Sequence, residues 1–150
     1  MRGIACELML EIDPGSADQI GVLLRCSPDR TEQTAVIFDR AVGTLSVDAS
    51  RSTLSRDVFM PFPDPFYDEG ERDPPGVQTA PFKLSSGELL VLRIFVDGSI
   101  LEVFANRRQC VTQRIFPTRD DSTGIALFSC GGIARIRSLT VWEMAASNPW

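Results

Sequence analysis

The feature that most constrains this chain is an alternation of apolar and polar residues with a period of two. It is clearest from Cys6 to Ile12, from Thr44 to Asp48 and from Leu92 to Val96. Successive side chains of a β-strand point to opposite faces, so this period gives each strand one apolar face. No stretch of useful length shows the period of an amphipathic helix. The sequence therefore predicts an all-β protein.

Turn residues separate the alternating stretches at intervals of roughly ten residues, as in a sandwich or barrel. The sequence Asp97-Gly98-Ser99 predicts a tight hairpin, because glycine accepts positive φ. Near Ser138 the phase of the last stretch slips, which predicts a β-bulge. Nine or so antiparallel strands without helices predict a two-sheet antiparallel β-sandwich, concanavalin-like or jelly-roll-like, occupying residues 1–150 as a single domain.

Residues 51–88 have a different composition, because six of the ten prolines lie between Pro61 and Pro81. Proline lacks a backbone N–H, so this segment is expected to contribute few central strands. A connection of this length usually carries a function or covers another part of the fold. It is predicted to pack as a proline-rich arm across a sheet. Its expected anchors are Phe59, Phe62, Phe66 and Tyr67.

Composition excludes several functions. The formal charge of −5 opposes binding to nucleic acid, and the absence of histidine removes the usual proton shuttle and the commonest metal ligand. No cofactor, metal or nucleic-acid partner is predicted. Glu7 and Glu11 interrupt the first apolar stretch, so neither a signal peptide nor a membrane span is expected; the chain is predicted to be soluble, with its compartment unassigned. The cysteines lie far apart within apolar runs, which favours buried thiols and leaves a disulfide open. They are Cys6, Cys26, Cys110 and Cys130.

Two groups of carboxylates are candidates for a catalytic or a metal site. Asp97 and Glu102 flank a hairpin, and a retaining glycosidase needs two carboxyl groups about 5–5.5 Å apart. However, an aspartate at a turn ordinarily bonds its own backbone and an outward glutamate is solvated, so both are interpreted as structural. The acidic residues of 68–73 lack the spacing of a calcium loop and are interpreted as a solvated loop. No catalytic or metal-binding residue is predicted.

The segment from Leu92 to Asn106 resembles the signature hairpin of the C-terminal β-sandwich of glycoside hydrolase family 32, the invertases, inulinases and levanases. Further similarity lies at 21–25, 39–40, 51–52 and 133–143, so the resemblance covers nearly the whole chain. One departure is Gly98, where the family often has arginine or lysine. The hairpin residues that carry the resemblance, taken as structural, are Asp97, Ser99, Glu102, Phe104 and Asn106.

The resemblance implies a parent enzyme with a catalytic five-bladed β-propeller followed by this sandwich. Of the family's three propeller motifs, the Asn-Asp-Pro and Glu-Cys segments are absent. Arg72-Asp73-Pro74 is present, but it lies in the proline-rich arm, where a tripeptide recurs easily by chance. The expected function is therefore that of a non-catalytic module of a β-fructofuranosidase, a carbohydrate-metabolism hydrolase. It would stabilise the propeller or mediate dimers.

Two alternatives stay open. In the first, the chain is a free-standing lectin-like module that binds fructan or sucrose through the long arm. In the second, it is a glycosidase in its own right. Sugar binding needs exposed aromatic rings with polar groups nearby, and Tyr67, Trp142 and Trp150 offer such rings. Trp142 alternates within the last strand, which favours core or interface packing. No carbohydrate-binding residue is assigned from the sequence.

Overall fold

The alternating stretches form β-strands in a computed structural model, which describes residues 4–58 and 75–145. Neighbouring strands pair antiparallel throughout. The described residues include no helix long and apolar enough to cross a membrane. The strands are β1 Ala5–Asp13, β2 Gln19–Cys26, β3 Thr34–Asp39, β4 Thr44–Asp48, β5 Val77–Pro81, β6 Leu90–Asp97, β7 Ile100–Ala105, β8 Gln109–Arg114, β9 Gly124–Cys130 and β10 Arg135–Glu143.

These strands form two five-stranded sheets. Sheet A has the order β10-β1-β6-β7-β8, and sheet B has the order β5-β4-β3-β2-β9. Inward-facing residues such as Leu8 and Ile94 of sheet A pack with Val22 and Phe38 of sheet B, and all four are at most 1% exposed. Fully burying such a side chain stabilises the fold by about 1.5–3 kcal/mol. The predicted β-sandwich is confirmed.

Strand β5 was missed by the sequence analysis. It lies within the proline-rich arm and pairs with β4 at one edge of sheet B. An edge strand tolerates Pro81 because one side of its backbone has no partner to lose. This part of the arm therefore extends a sheet instead of crossing one. The predicted anchors of the arm lie outside the described residues.

The bulge predicted near Ser138 is confirmed. Glu11 pairs with Ser138, whereas the next residue, Ile12, pairs with Ile136. Arg137 is therefore the extra residue on β10. Because of this extra residue, apolar side chains on both sides of the bulge face the inside of the sandwich.

The prediction that all four cysteines are buried is wrong for two of them. Cys6 and Cys26 are buried, and burial raises the pKa of each thiol. Cys110 and Cys130 are exposed, because each lies on the outer face of its sheet. All four thiols are free.

Candidate functional site

One long edge of the sandwich is open between β9 and β10. Leu139 lies directly opposite Leu10 in sheet A, and Leu127 lies directly opposite Val22 in sheet B. Opposed residues of an antiparallel pair share a face, so all four point inward. Leu10 and Val22 are 0% exposed, but Leu139 is 45% and Leu127 is 37% exposed. At these two positions of β9 and β10, inward orientation does not bring burial.

Two further apolar residues extend this surface. Ile136, opposite the buried Ile12, is 42% exposed, and Ile133 in the β9–β10 connection is 77% exposed. We call Leu127, Ile133, Ile136 and Leu139 together the open edge. Both strands are also the outermost strands of their sheets, which present backbone N–H and C=O groups without a strand partner. Clustered exposed apolar residues of this kind mark interaction surfaces.

A groove of about 770 Å³ lies on the outer face of sheet A. Its floor comes from outward-facing side chains of β1, β6, β7 and β8, among them Met9, Val91 and Cys110. The rings of Phe95 and Phe104 meet edge to face, with centroids 6.1 Å apart. We call this cavity the sheet A groove. The outward phase of β6 and β7 carries these aromatic residues, a signal that the sequence analysis assigned only to a family signature.

Three arginines surround the sheet A groove. The Arg93 Nε atom donates to the Glu7 carboxylate at 2.6 Å, and its guanidinium lies 4.9 Å from the Phe95 ring centroid. Arg108 forms an ion pair of 2.9 Å with Glu88. The side chain of Arg107 makes no hydrogen bond or ion pair to any residue that the structure describes. Among the described residues, Arg107 is therefore the groove arginine that has no opposite charge beside it.

A buried carboxylate holds the connection between β8 and β9. Glu32 is 0% exposed and accepts hydrogen bonds from the backbone N–H groups of Thr118 and Arg119 at 2.8 and 3.1 Å. The hydroxyl groups of Thr118 and Ser122 and the N–H of Leu54 also donate to it. Burial acts to raise the pKa of Glu32, but these hydrogen bonds outweigh burial and lower it. No pattern in the sequence predicts this network.

Arg25 links the same end of sheet B to sheet A. Its Nε atom donates to the Ser122 carbonyl at 2.8 Å, and its Nη1 atom donates to the Gly98 carbonyl at 3.2 Å. Burial lowers the pKa of Arg25, and the nearby charge of Glu32 opposes that shift. A charged residue inside the apolar run of β2 was the available sequence signal. The buried charged residues Glu32 and Arg25 therefore have a structural role.

A surface cluster surrounds this buried pair. Arg119 donates to both carboxylate oxygens of Asp121 at 2.7 Å and to Asp29 at 2.8 Å. Hydrogen bonds to Asp121 and then Asp29 raise the pKa of Arg119. Hydrogen bonds from Ser27 and Thr31, joined by one from Arg119, lower the pKa of Asp29. Each carboxylate already has its partner, which leaves neither of them free to act as an acid or base.

The five residues of the predicted signature hairpin take different positions. Asp97 ends β6 and is exposed, and Ser99 lies in the turn. Glu102 is on the outer face of β7, directly opposite Phe95 of β6. Phe104 and Asn106 line the sheet A groove, whereas Asp97 and Glu102 do not. The hairpin therefore brings only part of the signature to one site.

The side chain of Asn106 holds the β7–β8 turn against the backbone at the start of β6. Its Oδ1 atom accepts from the Val91 N–H at 2.8 Å, and its Nδ2 atom donates to Glu88 at 2.9 Å and to the Leu89 carbonyl at 2.8 Å. Asn106 and Arg107 have φ of 47° and 55°, the positive values of a type I′ turn. This turn places Arg107 at the rim of the groove.

Trp142 lies on the outer face of sheet A and is 45% exposed. A core position for it is therefore wrong, and an interface position stays a prediction. No described residue that lines the sheet A groove, or a cavity of about 180 Å³ at the open edge, carries a carboxylate. Across 4–58 and 75–145, no three His, Cys, Asp or Glu side chains converge as a metal site would need. Tyr67, the acidic stretch 68–73, Arg72-Asp73-Pro74 and Trp150 lie outside the described residues.

The described residues define an antiparallel β-sandwich module with an apolar open edge and an arginine-rimmed groove. The sequence profile of the C-terminal region of glycosyl hydrolases family 32 matches residues 2–143. The chain belongs to this family, and the resemblance found in the sequence is confirmed.

The relatives and neighbours agree with this family. A levanase of Bacillus subtilis is 36% identical over 93% of this chain, and a β-fructofuranosidase of Zea mays is 32% identical over 87%. The crystal structure of an exo-inulinase from Aspergillus awamori superimposes with a TM-score of 0.73 at 28% identity, covering 97% of this chain. The chain spans only 19% of each of these two relatives and 26% of the inulinase chain.

Proposed function

We propose that this chain is the non-catalytic sandwich of a β-fructofuranosidase-type hydrolase, an enzyme that cleaves sucrose or fructans. The proposal rests on family membership and on relatives named for levan and fructofuranoside hydrolysis. Because the chain spans about a fifth of those relatives, we place the catalytic chemistry in a β-propeller that this chain does not contain. The sandwich would act by packing against that propeller and stabilising it.

The observation that carries the proposal is the open edge. Leu127, Ile136 and Leu139 face inward but keep more than a third of their surface exposed. Covering apolar surface stabilises an assembly by about 25 cal/mol per Å², so a partner that closes this edge gains free energy. The relatives contain four to five times as much chain as this module, and that additional chain is the partner we assign to the edge.

A charge at the open edge tests this role. In the two-domain parent enzyme, Leu139→Asp is expected to lower the melting temperature and to separate unfolding of the two domains in calorimetry. Val77→Asp is the matched control, because Val77 is 57% exposed on the opposite edge of sheet B. Equal effects of the two substitutions would contradict the assignment.

Activity of the isolated chain tests the non-catalytic part of the proposal. Incubation of the 150-residue chain at high concentration with sucrose or inulin is expected to release no fructose. Release that persists after repurification would show a hydrolase in its own right. Sequencing the gene upstream of the Met1 codon should reveal a propeller reading frame.

A second copy of the chain is the competing occupant of the open edge. Sedimentation velocity on the isolated chain separates the two cases. A stable dimer that Leu139→Asp dissolves and that persists when the propeller is attached would assign the edge to self-association. A monomer, or a dimer that the attached propeller displaces, supports docking to the propeller.

A further inference from the structure

The sheet A groove combines an aromatic floor with a cationic rim. The outer face of a sheet in a sandwich normally carries polar residues, because it meets water. Here Phe95 and Phe104 lie on that face, and Phe104 is 36% exposed. The volume of about 770 Å³ lies in the range of small-molecule sites. The exposed ring of Phe104 can therefore take the apolar C–H face of a ligand, while Phe95, whose ring stands at 88° to it and lies under the Arg93 guanidinium, forms the wall beside it.

The charge of the rim selects among such ligands. Among the described residues, the lining contains three arginines and no carboxylate, on a chain whose net charge is −5. Arg93 and Arg108 are paired with carboxylates, whereas Arg107 has no partner among the described residues. A free guanidinium offers a planar fork of donors that matches phosphate oxygens. The groove is therefore complementary to an anion.

The other polar side chains at the groove are already engaged. The Gln109 Nε2 atom donates to the Pro81 carbonyl at 2.9 Å, and its Oε1 atom accepts from the Cys110 N–H at 2.9 Å. The Asn106 amide is occupied by the backbone of β6 and by Glu88. A neutral sugar, whose hydroxyl groups need several free donors and acceptors, finds few of them here. A sugar that carries a phosphate gains a charge-assisted contact with Arg107 that a neutral sugar lacks.

We propose that the sheet A groove binds a phosphorylated sugar, with the sugar ring on Phe104 and the phosphate on Arg107. This inference goes beyond the proposed role in domain packing and does not depend on it. The open edge is formed by β9 and β10, whereas the groove is formed by strands of sheet A other than β10.

Calorimetric titration of the full 150-residue chain tests the proposal. The probes are fructose 6-phosphate, fructose, inorganic phosphate and inulin. Fructose 6-phosphate is expected to bind saturably with a Kd of about 1 mM or tighter, and each other probe at least about tenfold more weakly. Equal binding of fructose and its phosphate, preferential binding of inulin, or no binding of fructose 6-phosphate would overturn the proposal.

Variants locate the site. Arg107→Ala is expected to weaken binding of fructose 6-phosphate about tenfold, and Phe104→Ala about fivefold. Arg107→Gly suits the positive φ of the turn and should lose binding equally, which guards against misfolding as the cause. Arg114→Ala is the matched control, because Arg114 is exposed on the same outer face and lies over a different ring, Phe116. Equal loss in Arg114→Ala would contradict a site at the groove.

Discussion

The two long edges of the sandwich differ in how well their inward-facing side chains are covered. Along β5 and β8, the ring of Phe82 is 5% exposed and meets Phe38 edge to face at 5.6 Å. Arg108 covers that ring, with its guanidinium 5.5 Å from the centroid, and Gln109 bonds the Pro81 carbonyl. Along β9 and β10, more than a third of the surface of Leu127, Ile136 and Leu139 stays exposed without such cover. This difference is the reason why we assign a partner to the edge of β9 and β10 and none to the edge of β5 and β8.

The largest expected effect comes from two residues that face each other across β1 and β10. Leu10→Ala should reduce the free energy of unfolding by about 2–5 kcal/mol, because it leaves a cavity in the core. Leu139→Ala should cost about 1 kcal/mol or less in the isolated chain, since its side chain is 45% exposed. Urea unfolding at neutral pH measures both. Equal losses would show that the open edge is as well packed as the core.

The next largest effect on stability is expected at the buried carboxylate of Glu32. Glu32→Gln should lower the free energy of unfolding by about 2 kcal/mol at pH 7, because the amide cannot accept from all the donors that face this carboxylate. The folded-state pKa of Glu32 is lowered. The stability it contributes is therefore complete above its ordinary pKa and is lost as pH falls through the folded value.

Urea titrations between pH 7 and pH 3 check that sign. The gap between the natural chain and Glu32→Gln should narrow on acidification. A gap that widens toward low pH would show that the carboxylate is destabilised in the folded protein.

A smaller effect is expected where sheet B packs next to the open edge. A Cβ atom on Gly21 would lie 2.2 Å from the Phe128 ring and 2.6 Å from the Val36 carbonyl oxygen. Gly21→Ala should cost about 1–3 kcal/mol, because the clash includes backbone. Gly87→Ala serves for comparison, since no atom lies within 4 Å of its added Cβ and only its positive φ opposes it. Chemical denaturation of both variants gives the difference; a larger cost at Gly87 would contradict the packing described.

The smallest effect should be a gain. Arg107 has φ of 55° in the β7–β8 turn, which glycine adopts without steric cost. Arg107→Gly is expected to change the melting temperature by a few degrees at most, and upward, in thermal unfolding. A clear loss of stability would show that the arginine side chain holds the turn, and it would then be unsuitable as a binding-only variant.

The sequence predicted orientation better than burial. Period-two alternation located most strands, and the phase slip located the bulge at Arg137. Proline masked β5, because an edge strand accepts a residue that a central strand does not. Alternation also says which face a side chain points to but not whether anything covers it, so the exposure of Leu139 was invisible.

Polar contacts between residues distant in sequence could not be predicted for a related reason. Glu32 lies 86 residues from Thr118 along the chain, and no local pattern joins them. The signature hairpin did point to Phe104 and Asn106, but as family markers. The groove could not be predicted from the sequence, because four strands contribute to its lining and some of the lining residues are distant in sequence.

Amide hydrogen exchange tests the central account most directly. It would be measured by mass spectrometry on the isolated chain and on the same chain joined to its catalytic propeller. We expect exchange in peptides covering residues 124–143 to slow at least about tenfold on joining, because the propeller closes the open edge, while peptides of β5 and β8 change little. Unchanged exchange at 124–143, with new protection on another face, would contradict the assignment of the open edge to the propeller.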